Sequence, residues 1–250
     1  MKQLGTLRTG TSNIVIPGTK NDFPEEFRTG SRLHYYASLF NSLEVNSTFY
    51  KLPSPRTFEK WAADVPDDFT FTLKLWQDIT HVKKLEYNPS DLESFFQAAD
   101  HVGSKKGCLL IQFPPGVTFQ YVPKVEDLLQ RLHALNNPEV WKLCIEFRHS
   151  SWYENESAHT ILARYNTSMV LHDMPASKTP WIEKSLDVVY LRFHGPKGDY
   201  RGSYAPEVLQ AHAQNIQAWL RQGKDVYAYF NNTIGDAFDN ARLLQATASF

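Results

Sequence analysis

The sequence predicts an α/β fold, a single (β/α)8 barrel of TIM type over residues 1–250. Three observations predict it. Eight short apolar runs recur along the whole chain: LGTLRTGTS, SLEVNSTFY, FTFTLKLW, GCLLIQFP, KLCIEFRH, SMVLHDM, VVYLRFHG and DVYAYFNN. Segments of helical apolar spacing lie between them. The length of 250 residues is typical of one such barrel. A doubly wound open sheet is the alternative, but it usually carries fewer strands and often a Gly-rich first turn. No G-x-G-x-x-G or P-loop pattern is present.

Each element has a local reason. After the first strand, Pro17, Gly18, Pro24 and Gly30 break the chain into an irregular stretch, and RLHYYASLF then shows helical spacing. Ser54 or Thr57 opens a helix carrying Phe58 and Trp61, with Pro55 suited to its first turn. The third strand alternates strictly. Leu92, Phe95, Phe96 and Ala99 make one face of the next helix. The fourth strand is nearly continuous in apolar residues, as expected when both faces are buried. Val125, Leu128, Leu129 and Leu132 align on a helix from Pro123 to about Leu135, and a further helix covers Ala158 to Tyr165. Strand six leads into a loop with Pro175, Pro180 and Trp181. Strand seven leads into HGPKGDYRGSY, whose glycines and length suit either a lid or a static loop. A helix from Pro206 to about Arg221 precedes strand eight, and the last helix opens near Gly235-Asp236.

Composition narrows the function classes. The chain is 42% hydrophobic, 21% charged and 14% aromatic, a globular balance with many rings available for burial. Net charge is −1, without the basic excess of a protein that coats nucleic acid. Cys108 and Cys144 lie inside apolar runs and read as buried reduced thiols, with no zinc-type spacing. No secretory apolar core opens the sequence and no run approaches 18 apolar residues, so a cytoplasmic protein without membrane contact is expected.

The strand ends carry the chemistry. In a parallel barrel all C-terminal ends form one mouth, where active sites of this fold lie. The polar residues there include Glu44, Asn46, Lys74, Gln112, Glu146, Arg148, His172, Asp173, Arg192, His194, Asn231 and Asn232. Residues two apart share a face, so Glu44 with Asn46, Glu146 with Arg148, and Arg192 with His194 aim together. Of the adjacent His172 and Asp173, Asp173 is preferred as the inward member, being nearer the loop.

Several chemistries fit these residues. Lys74, Arg148 and Arg192 suggest an anion such as a phosphate or carboxylate. Asn231 to Gly235 falls where this fold commonly binds phosphate, although Thr233 or Asp236 could simply cap the following helix. Glu44, Glu146 and Asp173 could supply acid/base chemistry on a sugar, with His194 shuttling protons. The acids and bases could also only neutralise each other. Glu44, Glu146, Asp173 and His194 would suit a hard divalent cation, but the neighbouring positive charges disfavour one. His81 after strand three, and Tyr50, Trp76, Trp152 and Tyr200 as pocket walls, are weaker candidates. Ser12 does not fit a nucleophile elbow, because the G-x-S-x-G pattern fails at Ile14.

Six segments stand out together: YYASLFNSLEVNSTFY (Tyr35 to Tyr50), FTFTLKLWQDITH (Phe69 to His81), LLIQFPP (Leu109 to Pro115), IEFRHSSW (Ile145 to Trp152), YLRFHG (Tyr190 to Gly195) and YFNNTIGDAFDNA (Tyr229 to Ala241). In these segments the sequence resembles the YecE-like family, domain of unknown function family 72. The resemblance implies a TIM-type barrel and no established activity. Family members commonly follow the opening Gly-Thr-Ser with Gly-Trp or a similar pair. Asn13-Ile14 stands in its place, so the first loop shapes its part of the pocket differently.

The expectation is therefore a barrel enzyme of hydrolase, lyase or isomerase type, without a cofactor or resident metal, acting on a small anionic substrate that is phosphorylated or sugar-like. Glu44, Glu146, Asp173 and His194 are its candidate catalytic residues. Asn46, Lys74, Gln112, Arg148, Arg192, Asn231 and Asn232 are its candidate binding residues. Nucleic acid or a phosphorylated partner, bound without catalysis, and metal-dependent phosphodiester or sugar chemistry are the alternatives.

Overall fold

A computed structural model describes residues 3–138, 140–180 and 187–249 of the chain. All eight expected strands form: β1 (Leu7–Thr11), β2 (Ser42–Val45), β3 (Thr70–Lys74), β4 (Lys106–Gln112), β5 (Lys142–Glu146), β6 (Thr167–His172), β7 (Val188–Phe193) and β8 (Asp225–Phe230). Every ladder between them is parallel, and the sheet order β1-β8-β7-β6-β5-β4-β3-β2 follows the chain order around a ring. The architecture is a (β/α)8 barrel of TIM type.

The helices between strands are α1 (Arg32–Leu39), α2 (Pro55–Ala63), α3 (Pro89–Ala99), α4 (Val122–Leu135), α5 (Glu156–Arg164), α6 (Pro206–Arg221) and α7 (Ala237–Ala248). Ser54 sits at the N-cap position of α2 with Pro55 in its first turn. The apolar stripes of α3 and α4 are buried as their spacing requires. The link from β6 to β7 departs from the strand–helix rhythm. Its described part holds only a 3-10 turn, Pro175–Ser177. Proline lacks the N–H that a helix interior needs, and Pro175 and Pro180 bracket this stretch. Trp181, expected in the same loop, lies outside the described residues. One-turn helices at Ser47–Tyr50 and Gln77–Thr80 follow β2 and β3, too short to show a period in sequence.

The ring closes between β1 and β2 by a different device from the other seams. Backbone pairing there is a single bridge, Ser12 to Glu44, with the Asn13 N–H donating to the Glu44 carbonyl at 2.7 Å. Side chains complete the rest. Asn41 accepts from the Thr9 N–H at 3.0 Å and donates to the Leu7 carbonyl at 2.8 Å. The Tyr36 hydroxyl accepts from the Thr11 N–H at 2.7 Å and donates to the Ser42 carbonyl at 3.2 Å. Gly10 permits this closeness, because a Cβ there would lie 2.1 Å from the Ser42 oxygen and 2.6 Å from the Tyr36 hydroxyl.

Two cores result. One packs the outer barrel wall against the helices. The other fills the barrel itself with Cys108, Leu110, Cys144, Val170, Tyr190, Tyr227 and Tyr229. Both cysteines are buried and unbridged, as their apolar surroundings suggest. The Tyr229 hydroxyl is satisfied by Ser42 at 2.5 Å and Thr72 at 2.8 Å, so a phenol can be tolerated in the interior. Among the described residues, no helix is long and apolar enough to cross a membrane.

Gly10→Ala should destabilise the fold by about 2 kcal/mol or more, because the new methyl meets backbone at the closing seam. Gly116→Ala, where nothing lies within 4 Å of the added methyl, is the matched control. Urea midpoints of both variants check this, and equal midpoints would refute the account of the seam.

Candidate functional site

At the mouth, Arg192 at the end of β7 reaches across the barrel to β2. Its Nε and Nη2 each donate to the Glu44 carboxylate at 2.9 Å, a bidentate fork. Nη1 reaches the Glu146 carboxylate at 3.1 Å. Ser12 donates to Glu44 Oε1 at 2.5 Å and the Tyr190 hydroxyl donates to Oε2. Both Glu44 oxygens therefore take two donors each, and the residue is fully buried. Burial pushes the Glu44 carboxyl up, but the Arg192 charge and the Arg192, Ser12 and Tyr190 hydrogen bonds bring it below the usual carboxylate range. Burial likewise opposes Glu146, and Arg148 and Arg192 overcome it, holding that carboxyl well below its ordinary value. Both glutamates are anions at neutral pH, with their charge committed.

Around this core runs a second chain of contacts. Arg148 Nε donates to Glu146 Oε1. His194 Nε2 lies 3.2 Å from Arg148 Nη2 and 3.2 Å from Arg192 Nη1. A guanidinium only donates, so Nε2 must accept, and the ring proton sits on Nδ1. That Nδ1 faces Asp173 Oδ1 at 3.2 Å, and the His194 N–H donates to the same oxygen at 2.8 Å. The Tyr204 hydroxyl donates to the other Asp173 oxygen. Burial pushes the His194 pKa down, and the Asp173 hydrogen bond does not restore it against Arg192. His194 is thus a neutral spacer between two arginines. This geometry does not leave it the free lone pair of a proton shuttle.

Lys74, at the end of β3, is the exception in the ring. Its Nζ lies 3.9 Å from the centre of the Phe49 ring. Among the described residues it has no hydrogen-bond or ion-pair partner. Burial, with Arg192 beside it, pulls its pKa down to about 7 despite Glu146 and Glu44. His81 stands edge-on to the same Phe49 ring at 4.8 Å. Burial and the Lys74 and Arg148 charges lower it to about 4, so it is neutral at the rim. The mutual neutralisation read from sequence describes Glu44, Glu146, Arg148 and Arg192, but not Lys74.

The remaining expected residues divide. Gln112 stands in register with Glu146 and is buried, with Nε2 donating to the Phe113 carbonyl at 2.6 Å. Asn46 lies one residue past β2, and its buried Oδ1 has no partner. Asn231 is half-buried at the end of β8. Asn232 turns away from the ring and donates to the Gly202 carbonyl at 2.9 Å and to Asn240 at 3.0 Å. In the segment after β8, part of the expected phosphate cradle is already committed. The N–H groups of Ile234, Gly235 and Asp236 already donate to Tyr200, Asn232 and Gly202. Those bonds, with the short parallel pairing of Arg201–Gly202 and Ile234–Gly235, also pin the HGPKGDYRGSY loop, favouring its static reading over a lid.

His172, rather than Asp173, holds the register position beside Arg192. Its Nε2 faces the Phe147 carbonyl at 3.0 Å, and burial takes its pKa to about 4. Asp173, past the strand end, still reaches His194. Trp152 is core, stacked on Phe147 at 3.9 Å, and Tyr50 is exposed. The four donors read as a hard-cation set face arginine, serine and tyrosine donors. Among the described residues, no three His, Cys, Asp or Glu side chains are placed to hold a metal ion.

Tyr190 and Tyr204 are not among the residues expected from sequence, and Ser12 is expected there only as a strand ending. Tyr190 was findable, since it lies two residues before Arg192 on the same face. Ser12 was visible as a strand ending, but its partner was not. Tyr204 comes from a loop with no periodic signal.

An eight-stranded parallel barrel closing on a buried glutamate–arginine–glutamate centre defines a TIM-type barrel protein with a polar mouth. The chain belongs to the DUF72 family, described as a protein of unknown function, which matches residues 8–249. It is 25% identical to the UPF0759 protein YunF of Bacillus subtilis (strain 168) over 250 residues, covering 88% of this chain and 87% of YunF. It is 26% identical to the UPF0759 protein YecE of Escherichia coli (strain K12) over 142 residues, covering 56% of this chain and 50% of YecE. A DUF72 family crystal structure from Thermotoga maritima MSB8 superposes with TM-score 0.78 at 28% identity, covering 96% of this chain and 98% of that one. One from Enterococcus faecalis V583 gives 0.79 at 19% identity, covering 98% and 97%, and shows the shared fold.

Arg192→Met strands two buried carboxylates and should cost about 3–5 kcal/mol at pH 7. That deficit should shrink toward pH 5, because carboxyls freed of their cation titrate higher and can shed the buried charge. Urea titrations at both pH values check this, and an unchanged deficit would contradict it. Lys74 titrates at about 7 folded against 10.5 as its ordinary value. The unfolded chain therefore binds more protons between those values, and this group's contribution to stability rises with pH across that window. Wild type should gain on Lys74→Met by up to about 1.4 kcal/mol per pH unit between about pH 7.5 and 9.5. Parallel stability–pH curves would rule the lowered amine out.

Proposed function

We propose that this protein is an enzyme that binds a small anionic, phosphorylated or sugar-like substrate at the C-terminal mouth of the barrel. One observation supports this above the others. Among the described residues, Lys74 Nζ and Arg148 Nη1 have no hydrogen-bond partner, while Arg192 and the remaining Arg148 nitrogens are committed. Guanidinium suits a carboxylate or phosphate oxygen, and an amine carries N–H donors in either protonation state. The burial of the ring favours a small ligand over a nucleic-acid strand. In this reading Arg148 and Lys74 hold the anion, with Asn46 and Gln112 available to orient it. Glu44, Glu146, Asp173 and His194 keep both guanidinium planes fixed. Proton transfer falls to Lys74, whose pKa of about 7 suits it better than carboxylates held as anions.

Inorganic phosphate and a set of small sugar phosphates should raise the thermal midpoint of the wild type in a concentration-dependent way. Lys74→Met and Arg148→Met should each weaken binding by about tenfold or more, whereas the exposed Lys83→Met should not. Calorimetric titration checks this. Affinity unaltered in both site variants would refute the reading.

A further inference from the structure

Lys74 differs in kind from the other cations of the mouth. An arginine is always charged, and both arginines are held by carboxylates and His194. Among the described residues, Lys74 is tied to nothing but the face of Phe49, which shields one side of Nζ and offers no lone pair to occupy it. Glu44 and Glu146 nevertheless act on it as nearby negative charges. A lysine whose only task is to neutralise them would be expected to bond one directly. We propose that Lys74 is a nucleophile that forms an imine with a carbonyl group of the bound anion, so that the ligand class is a small carbonyl-bearing anion such as a 2-oxo acid or a phosphorylated ketone. This rests on the anion reading above and adds to it.

The chemistry balances without an oxidant or a cofactor. The Nζ lone pair bonds to the carbonyl carbon, the C=O π pair moves to oxygen, and a proton passes from nitrogen to that oxygen. The hydroxyl then takes a proton from solvent at the mouth and leaves as water, and nitrogen forms the C=N bond. The sum is amine, carbonyl and proton giving iminium and water. The iminium is a cation while its nitrogen keeps its proton. The Phe49 face and the Glu44 and Glu146 charges act in its favour, against burial and the Arg192 charge. With a pKa of about 7, about half of the Lys74 amines are free base at neutral pH, against fewer than about one in a thousand for an ordinary lysine. Arg148 would hold the carboxylate or phosphate while the carbonyl meets Nζ.

The full chain, incubated at pH 7 with pyruvate or dihydroxyacetone phosphate and sodium cyanoborohydride, then digested and mapped by mass spectrometry, tests this. The expected product is a secondary amine on Lys74, with a mass gain equal to the carbonyl compound less one oxygen atom. Its occupancy should exceed that of the exposed Lys51 and Lys83 by at least about tenfold. Lys74→Arg, which keeps the charge, should lose this adduct. Occupancy at Lys74 no higher than at Lys51 and Lys83 overturns the proposal. If phosphate still binds in that case, the anion reading stands without the imine. Acetone labelling Lys74 as readily as pyruvate does would support the imine and remove the anion.

Discussion

Everything at the mouth depends on Arg192 being held between Glu44 and Glu146. A guanidinium buried to 2% exposure keeps its charge at a desolvation cost that close anions offset, and two buried glutamates stay ionised only with such a cation beside them. The bidentate fork onto Glu44 fixes the plane of the group, and Ser12 and Tyr190 fill the remaining lone pairs of that carboxylate. Once this centre is satisfied, it acts as a rigid platform. Arg148 is ordered by Glu146 on one side and by His194 on the other.

The same residues also close the barrel. The single backbone bridge between β1 and β2 joins Ser12 to Glu44, and the Ser12 hydroxyl donates to the Glu44 carboxylate. Closure and ion pairing therefore meet at one point of the ring. Below it, Tyr190 and Tyr229 pack at 5.3 Å and pass hydrogen bonds upward to Glu44 and sideways to Ser42 and Thr72. A polar mouth on an aromatic floor needs such hydroxyls, because an aliphatic floor would leave the carboxylate short of donors.

In the proposed function, this arrangement moves the chemistry away from the carboxylates. Acidic groups held as anions by arginine are poor general acids, and Glu44 has no lone pair left for a substrate proton. The imidazole of His194 is occupied on both nitrogens. Lys74 and His81, which share Phe49, are neutral or nearly neutral bases at the mouth. Under that proposal the reactive element is the group that the network leaves out.

Much of the barrel was legible in the chain because strand and helix periods are local. The eight runs, the α2 cap at Ser54 and the buried stripes of α3 and α4 needed only neighbouring residues. Alternation also aimed Glu146 with Arg148 and Arg192 with His194, because a strand's pleat carries that information. It aimed Glu44 with Asn46 less well, since β2 ends at Val45 and the backbone turns helical at Asn46. Pairing across the ring could not be read. Whether Arg192 would choose Glu44, and whether Asn232 would turn toward Gly202, depends on distances between residues far apart in sequence. The sequence by itself determined the barrel and the inventory of charges at its mouth, because both are sums of local choices. Only the tertiary structure decided which charges cancel, because Coulomb energy and desolvation depend on separation and burial after closure. That decision leaves Lys74, among the described residues, as an amine without a direct ion-pair partner.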